Sequence, residues 1–281
     1  MRERVFEQAT GEAAAPLRPF VAGYVGYRME GFEPGVHAGL PSQHLTLIVS
    51  LGHPVDLVEM PDPAQAPDAF PALVGGLHSS PAMIRHDGRQ HGLQLKITPL
   101  GARALFGIPA GELASMVLTL DDVLGSRARE LVDRLHATSS WSARFAAVDD
   151  VLTRALREPR PLRPEIAFTW DRLVTTAGGI DVHSVAREVA WSRRHLSEQF
   201  RVEYGHPPKV MARVMRFERA RRLLVSEARP SLADVAATCG YADQAHLTRD
   251  WRRLAGTSPA AWLATEHLPF VQDDECTGQA V

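Results

Sequence analysis

Two short stretches of the chain carry polar side chains that can hydrogen-bond to the edges of nucleic-acid bases. The first stretch offers Arg193, Arg194, Ser197 and Glu198. Arginine is suited to guanine, and a glutamate accepts from the amino group of cytosine. The second stretch has the same kind of composition, with Gln244, Ala245, His246 and Arg249. Both stretches therefore favour direct reading of bases in a major groove.

These polar residues belong to a pattern that occurs twice between residues 182 and 264. Each copy has a Val-Ala pair, a small residue with an aromatic one, a His-Leu pair, a large aromatic residue, a glycine and a proline. The first copy contains Val185-Ala186, Ala190-Trp191, His195-Leu196, Phe200, Gly205 and Pro208, and the second contains Val235-Ala236, Gly240-Tyr241, His246-Leu247, Trp251, Gly256 and Pro259. An internal repeat of this kind indicates one supersecondary unit used twice.

Each copy predicts two short helices joined by a tight turn. Apolar residues recur at helical spacing in both helices of each copy. Ser192 and Asp243 stand where the N-caps of the second helices are expected, and Gly240 stands where a C-terminal cap is expected. This arrangement is typical of a helix-turn-helix unit. The alternative is an all-helical packing repeat with a solvated polar face, and the matched caps in two copies favour DNA binding.

Residues from about 165 to 265 resemble the DNA-binding domain of the AraC/XylS transcriptional regulators. The segments that carry the resemblance are 240–249, 256–259, 185–186, 192–200 and 216–224. The resemblance implies two helix-turn-helix units whose recognition helices enter successive major grooves of double-stranded promoter DNA. A long helix from Pro208 to Val225 would join them and span roughly 26 Å. RNA polymerase, a small-molecule effector and a second copy of the chain are further partners that the resemblance allows.

The resemblance also assigns roles to individual residues. Arg194 and Glu198 fall on base-reading positions of the first unit, with Arg193 and Ser197 beside them, and the second unit offers Gln244, Ala245, His246 and Arg249. Glu198 is acidic where many relatives are polar or basic, so we expect it to accept from cytosine or to hold Arg194. Three basic residues of the connecting helix are candidates for phosphate contacts, with a solvated face as the alternative: Lys209, Arg213 and Arg216.

Residues 17–100 have a different texture. Short β-favouring runs at 20–29, 45–51, 55–60 and 93–98 alternate with segments rich in proline and glycine. This pattern predicts a small antiparallel sheet or barrel, and the resemblance implies a cupin-like sensor barrel here. Six of the twelve histidines lie in this stretch, and none forms a His-x-His pair. We therefore predict no metal site, no cofactor and no catalytic residue. His37 and His44 are the candidates to face an effector pocket.

The predicted fold class is α+β. A small β-rich N-terminal domain with at least two helices, at 121–136 and 141–156, precedes an all-α C-terminal domain. We predict a sensing or dimerisation domain at 1–157, a proline-rich linker at 158–164, the DNA-binding domain at 165–267 and a disordered tail at 268–281. We also expect residues 1–16 to be a loose lead-in.

Charge and cysteine usage bound the remaining possibilities. The net charge is −2, but residues 165–267 carry 15 Lys and Arg against 12 Asp and Glu, a balance of +3 that predicts a moderate salt dependence. The two cysteines form no CxxC pair, and no segment has 18 consecutive apolar residues, so we expect a cytoplasmic protein.

The sequence as a whole predicts a bacterial transcription regulator, either an activator or a repressor. One alternative is a metal-dependent cupin-like enzyme with a helical accessory domain. Another is a regulator that has no ligand and is controlled by its abundance.

Overall fold

The computed structural model describes residues 4–265. The strands are β1 (Val5–Gly11), β2 (Val21–Glu30), β3 (Gly35–Gly39), β4 (Leu45–Ser50), β5 (Val55–Glu59), β6 (Asp68–Phe70), β7 (Ala72–Gly75), β8 (Ala82–His86), β9 (Gln90–Ile97) and β10 (Val117–Thr119). The helices are α1 (Pro99–Gly101), α2 (Leu120–Leu124), α3 (Ser126–His136), α4 (Trp141–Ala155), α5 (Pro164–Thr175), α6 (Val182–Glu188), α7 (Arg193–Tyr204), α8 (Pro208–Val225), α9 (Leu232–Thr238), α10 (Gln244–Ala255) and α11 (Pro259–Thr265). A π-helical turn (Ala102–Phe106) continues α1, and 3-10 turns occupy Ala15–Leu17 and Ala110–Leu113.

The predicted β-rich N-terminal region and helical C-terminal region are both confirmed. The tail that we predicted at 268–281 lies outside the described residues. Within residues 4–265, no helix is both long enough and apolar enough to cross a membrane.

The strands form two antiparallel sheets. The larger sheet has the order β1-β2-β9-β4-β7-β10, and the smaller one has the order β3-β8-β5-β6. The four predicted β-favouring runs correspond to β2, β4, β5 and β9. The other strands lie in segments that we had assigned to turns or left unassigned.

Successive side chains of a strand point to opposite faces of the sheet. The two faces of the larger sheet have different neighbours. Tyr24 and Leu47 both pair with Leu95 in the register, so these three share one face. On that face Tyr24 stacks on Phe145 of α4 at 5.8 Å between ring centroids, and its hydroxyl donates to Asp149 at 2.7 Å. The opposite face packs against the smaller sheet through a second apolar cluster that includes Leu57, Phe70 and Leu73.

Two expectations for the N-terminal region were wrong. We expected residues 1–16 to be a loose lead-in, but Val5–Gly11 pairs along its whole length with β2. The helix predicted at 121–136 is two helices, because Gly125 has a φ of +58° and separates α2 from α3. A positive φ suits glycine and interrupts a right-handed helix.

The helical region agrees closely with the predicted repeat. Pro164 opens α5, and α8 spans Pro208–Val225 as expected. The large aromatic residue of each copy, Phe200 or Trp251, is fully buried. Burial of these rings supplies much of the apolar area that holds the second helix of each unit against its neighbours.

Candidate nucleic-acid interface

The N-caps fix where the second helix of each unit begins. The side-chain oxygen of Ser192 accepts from the backbone N–H of His195 at 3.2 Å, and that of Asp243 accepts from the N–H of His246 at 2.6 Å. The preceding turn residues, Ala190 and Gly240, both have positive φ values of +56° and +74°. The predicted caps are confirmed, and both turns contain a residue with a positive φ, although the turn of the second unit is one residue longer.

The repeated histidine and aromatic residue pack against each other in both units. The rings of Trp191 and His195 meet edge to face at 4.5 Å between centroids, and those of Tyr241 and His246 do so at 5.2 Å. Each contact ties the turn to the first turn of the helix that follows. Packing therefore explains why a histidine and an aromatic residue recur at these positions in both copies.

The candidate base-reading residues lie on the outer face of α7 and α10. Arg193, Arg194 and Glu198 are exposed on α7, with Ser197 partly exposed between them. On α10, Gln244, Ala245 and Arg249 are exposed. Leu196, Phe200 and Tyr204 of α7 are buried, and so are Leu247, Trp251 and Leu254 of α10. The polar face of each helix is therefore available to a partner.

Arg194 and Glu198 form an ion pair one helical turn apart. Arg194 donates from Nε to the Glu198 carboxylate at 2.8 Å, and 89% of the Arg194 side chain is exposed. The hydrogen bond from Arg194 holds the pKa of Glu198 below its usual value. Of the two expected roles for Glu198, holding Arg194 is the one present in the free protein.

The remaining candidate on α10, His246, is directed towards the protein. Its Nε2 lies 3.6 Å from the carboxylate of Asp250, which also faces Arg213 at 3.4 Å and Arg216 at 4.0 Å. Asp250 is buried. Arg216 also lies over the ring of Tyr241. This cluster attaches α10 to α8, so His246, Arg213 and Arg216 contribute to the position of α10. Lys209 is exposed at the start of α8.

Asp250 is a residue that the sequence interpretation missed. It lies in the buried face of α10 directly before Trp251. An acidic residue within an apolar stripe was the available signal, because a buried carboxylate requires positively charged or hydrogen-bonding partners.

The C-terminal end of α7, away from its candidate base-reading residues, contacts the N-terminal region. Arg103 donates from Nε to Glu203 at 2.6 Å and also pairs with it through Nη2, and only 8% of the Glu203 side chain is exposed. The His206 ring lies 3.0 Å from the carbonyl oxygen of Leu77. Farther along, the backbone N–H of Gln43 donates to Glu218 of α8 at 3.3 Å. The end of the first unit and the connecting helix thus both have polar contacts with the N-terminal region.

A cavity of about 660 Å³ lies between the two sheets of the N-terminal region. Four of the six histidines of this region border it: His37, His53, His86 and His91. The rings of His37 and His86 lie 5.5 Å apart. His44 is not among the lining residues of this cavity, and its place in an effector pocket beside His37 stays a prediction. The partner of His37 comes from β8, which pairs with β3.

The described residues do not bring three His, Cys, Asp or Glu side chains together in a group that could hold a metal ion. The only described cysteine, Cys239, is buried and has a free thiol. The arrangement gives no support to the metal-dependent enzyme that we considered as an alternative.

Comparisons with known proteins agree with the geometry of the helical region. A family model described as a helix-turn-helix domain matches residues 185–265. The DNA-binding domain of AdpA, a global transcriptional factor whose structure was solved with a target DNA, is 30% identical, and the match covers 36% of this chain and 92% of that one with a TM-score of 0.33. No curated protein sequence matches the chain.

Two further structures are similar to this one. Fatty-acid-bound ToxT from Vibrio cholerae is 10% identical, and the match covers 94% of this chain and 97% of that one with a TM-score of 0.51. At this identity the match shows a similar fold, with a β-rich region followed by a helical one. An AraC-type regulator from Chromobacterium violaceum is 22% identical over 38% of this chain and 96% of its own, with a TM-score of 0.34. The identity with the AdpA domain extends over nearly all of that domain. The chain therefore belongs to the AraC-type family of helix-turn-helix transcription regulators.

Proposed function

We propose that this regulator binds promoter DNA by placing the first turns of α7 and α10 in successive major grooves. The observation that carries the proposal is the presence of two equivalent units, each with its exposed polar side chains on the outer face of its second helix. A major groove admits one helix. The connecting helix α8 joins the two units and sets their separation.

Base reading is assigned to Arg193, Arg194, Glu198, Gln244 and Arg249, because these side chains are exposed and can hydrogen-bond to base edges. Ser197 and Ala245 lie beside them and would contact bases through a hydroxyl and a methyl group. His246 has a supporting role, since it packs on Tyr241 and faces Asp250.

Arg194 is our candidate for reading guanine. Its contact with Glu198 uses Nε, so the two terminal nitrogens of the guanidinium can face a base. Arginine donates two hydrogen bonds to O6 and N7 of guanine, and a bidentate pair of this kind contributes about 1–3 kcal/mol of discrimination. Glu198 thereby orients the side chain before DNA arrives and reduces the entropy lost on binding.

The guanine assignment is tested by replacing each guanine of the first half-site with 7-deazaguanine, which lacks the N7 acceptor. One such replacement is expected to weaken binding of the wild-type protein markedly and to leave the affinity of Arg194→Ala unchanged. Equal losses for both proteins at every position would show that Arg194 reads no guanine.

Phosphate contacts are assigned to Lys209, which is exposed at the start of α8. Arg213 and Arg216 were candidates for the same role, but both are partly buried beside Asp250. We propose that they position α10 and reach phosphates only if the Asp250 cluster rearranges.

We further propose that the N-terminal region senses a small molecule or mediates dimerisation. The inter-sheet cavity supports the first role, and α3 and α4, which pack on each other beside the larger sheet, offer a surface for the second. Contact with RNA polymerase would account for activation. A protein that acts on a bacterial promoter in this way works in the cytoplasm.

The first experiment is fluorescence anisotropy of the full chain against labelled DNA from upstream of its own gene, with excess competitor DNA and a series of salt concentrations. Saturable binding that resists competitor is expected. Arg249→Ala should weaken it by about 1–3 kcal/mol, which is about 5- to 150-fold.

Arg253→Ala is the matched control for Arg249→Ala, since Arg253 is exposed on the last turn of the same helix. It should leave specific binding within about threefold of wild type. An unchanged affinity for Arg249→Ala, or binding that competitor abolishes completely, would contradict the proposed reading face.

A further inference from the structure

The inner wall of the inter-sheet cavity is mostly apolar and carries a few polar side chains. Tyr27 and Gln94 come from the larger sheet, and His37 and His86 come from the smaller one. Burial lowers the pKa of His37 to about 4, and it also lowers the pKa of His86. Both imidazoles are therefore neutral at pH 7.

Four charged residues also border the cavity, but none of them comes from the inward face of a strand. Asp56 and Arg85 are paired in the strand register next to Leu57 and Ile84, so they lie on the opposite face of the smaller sheet from the apolar residues that face inward. Their side chains are 3.6 Å apart and neutralise each other. Asp87 and Arg89 are exposed at the mouth and contribute one charge of each sign.

The hydrogen bonding of His86 determines which of its nitrogens can donate to a ligand. Nδ1 accepts from the backbone N–H of Gly88 at 3.2 Å. The neutral ring must then carry its proton on Nε2. A Cβ atom built on Gly35 would lie 3.4 Å from this Nε2, so glycine at this position keeps the space in front of the donor open. Nδ1 of His37 is also buried beside it and has no hydrogen-bond partner.

The rest of the inward surface is apolar. Met29 and Ile48 line the cavity from the larger sheet, and Val55 and Ile84 line it from the smaller one. Pockets of several hundred Å³ with an apolar lining and a few placed polar groups hold drug-sized molecules. An ionised ligand in such a pocket would lose its hydration without meeting an opposite charge.

We propose that the cavity binds an uncharged molecule with an apolar body and a hydrogen-bond acceptor directed at Nε2 of His86. This inference rests on the proposed sensing role of the N-terminal region and commits it to a chemical class of ligand. It does not depend on which DNA the helical region reads.

The test uses the full chain and the uncharged fluorescent dye Nile red as a probe. Four competitors share one naphthalene skeleton: 2-acetylnaphthalene has an uncharged acceptor, 2-ethylnaphthalene has none, 2-naphthoate is an anion and 2-(aminomethyl)naphthalene is a cation. The acetyl compound is expected to displace the dye at least tenfold more tightly than either ion, and severalfold more tightly than the ethyl compound.

Two variants locate the binding. Val55→Trp fills the cavity from within and should abolish dye binding, whereas Ala69→Trp on the exposed outer face of the same sheet should not. His86→Phe keeps a ring at this position but removes the donor, so the acetyl and ethyl compounds should then compete equally. Thermal unfolding of each variant shows whether it has folded.

Several results would overturn the proposal. The first is competition by the anion or the cation that is as tight as, or tighter than, competition by the acetyl compound. The second is a preference for the acetyl compound over the ethyl compound that persists in His86→Phe. The third is dye binding that persists in folded Val55→Trp. DNA binding is measured separately by anisotropy. Failure there with normal dye binding would refute the DNA assignment alone, whereas absence of dye binding with normal DNA binding would refute this inference alone.

Discussion

The two C-terminal glycines of the repeated helices provide a controlled test of the contact between α7 and the N-terminal region. Gly205 ends α7 with a φ of +76°, and Gly256 ends α10 with a φ of +74°. An alanine at either position should lower the free energy of unfolding by about 1–2 kcal/mol, because an L side chain is strained in the left-handed region. That cost should be nearly the same for both.

The surroundings of the two glycines differ. A Cβ atom at Gly205 would lie 1.9 Å from Cβ of Ala114, whereas at Gly256 the nearest atom is in Pro81 at 3.8 Å. Forcing an extra methyl into a packed contact costs about 1–3 kcal/mol. We therefore expect Gly205→Ala to lower the free energy of unfolding by about 1–3 kcal/mol more than Gly256→Ala does.

The assay is urea unfolding followed by tryptophan fluorescence, with linear extrapolation to water. Trp170 stacks on Tyr204 and reports on the first unit, and Trp251 reports on the second. Ala114→Gly removes the methyl that would clash, since the next atoms around Gly205 are at 3.3 and 3.4 Å. The double variant Ala114→Gly/Gly205→Ala should therefore recover most of the difference. Equal losses for the two glycine variants, or no recovery in the double variant, would refute a tight contact between α7 and residues 110–114.

Two further predictions concern ionisable groups in the same contact. Arg103→Ala leaves the Glu203 carboxylate buried without its partner and should lower the free energy of unfolding by about 3 kcal/mol. The double variant Arg103→Met/Glu203→Leu should be within about 1 kcal/mol of wild type. Urea unfolding measures both, and a loss below about 1 kcal/mol in Arg103→Ala would contradict the prediction. Burial lowers the pKa of His78 from its ordinary 6.5 to about 4, so the unfolded chain binds a proton at a pH where the folded one does not. Its contribution to stability is therefore complete above about pH 6.5 and is lost as the pH falls towards 4, by up to about 1.4 kcal/mol per pH unit. His78→Gln should reduce this slope in a series of unfolding experiments from pH 7 to 5, and an unchanged slope would count against the assignment.

The helical region was predictable because its signals are local. Caps and apolar spacing lie within about a dozen residues, and the caps at Ser192 and Asp243 followed from them. The bounds of α8 followed from the resemblance to the AraC/XylS regulators. The exposed polar face of each second helix followed as well, because the buried positions of an amphipathic helix define its remaining surface.

The N-terminal region was less predictable because its contacts are distant in sequence. β1 has no regular alternation of apolar and polar residues, and only its register with β2 shows that it is a strand. His37 and His86 are neighbours because β3 pairs with β8, and no local pattern specifies that pairing. The cluster around Asp250 likewise depends on how α10 packs on α8, which helical periodicity does not determine.

The contacts between the two regions are concentrated on the first helix-turn-helix unit. Glu203, Gly205 and His206 at the end of α7 all lie against the N-terminal region, whereas a Cβ atom built on Gly256 of the second unit would meet only Pro81, at 3.8 Å. A ligand changes an equilibrium only by binding two arrangements with different affinity. A rearrangement of residues 103–114 would therefore move α7 relative to the N-terminal region before it affected α10, and the separation of the two reading faces is the quantity that it would change. An effector of this regulator should accordingly alter the preferred spacing between half-sites more than the base preference within either one.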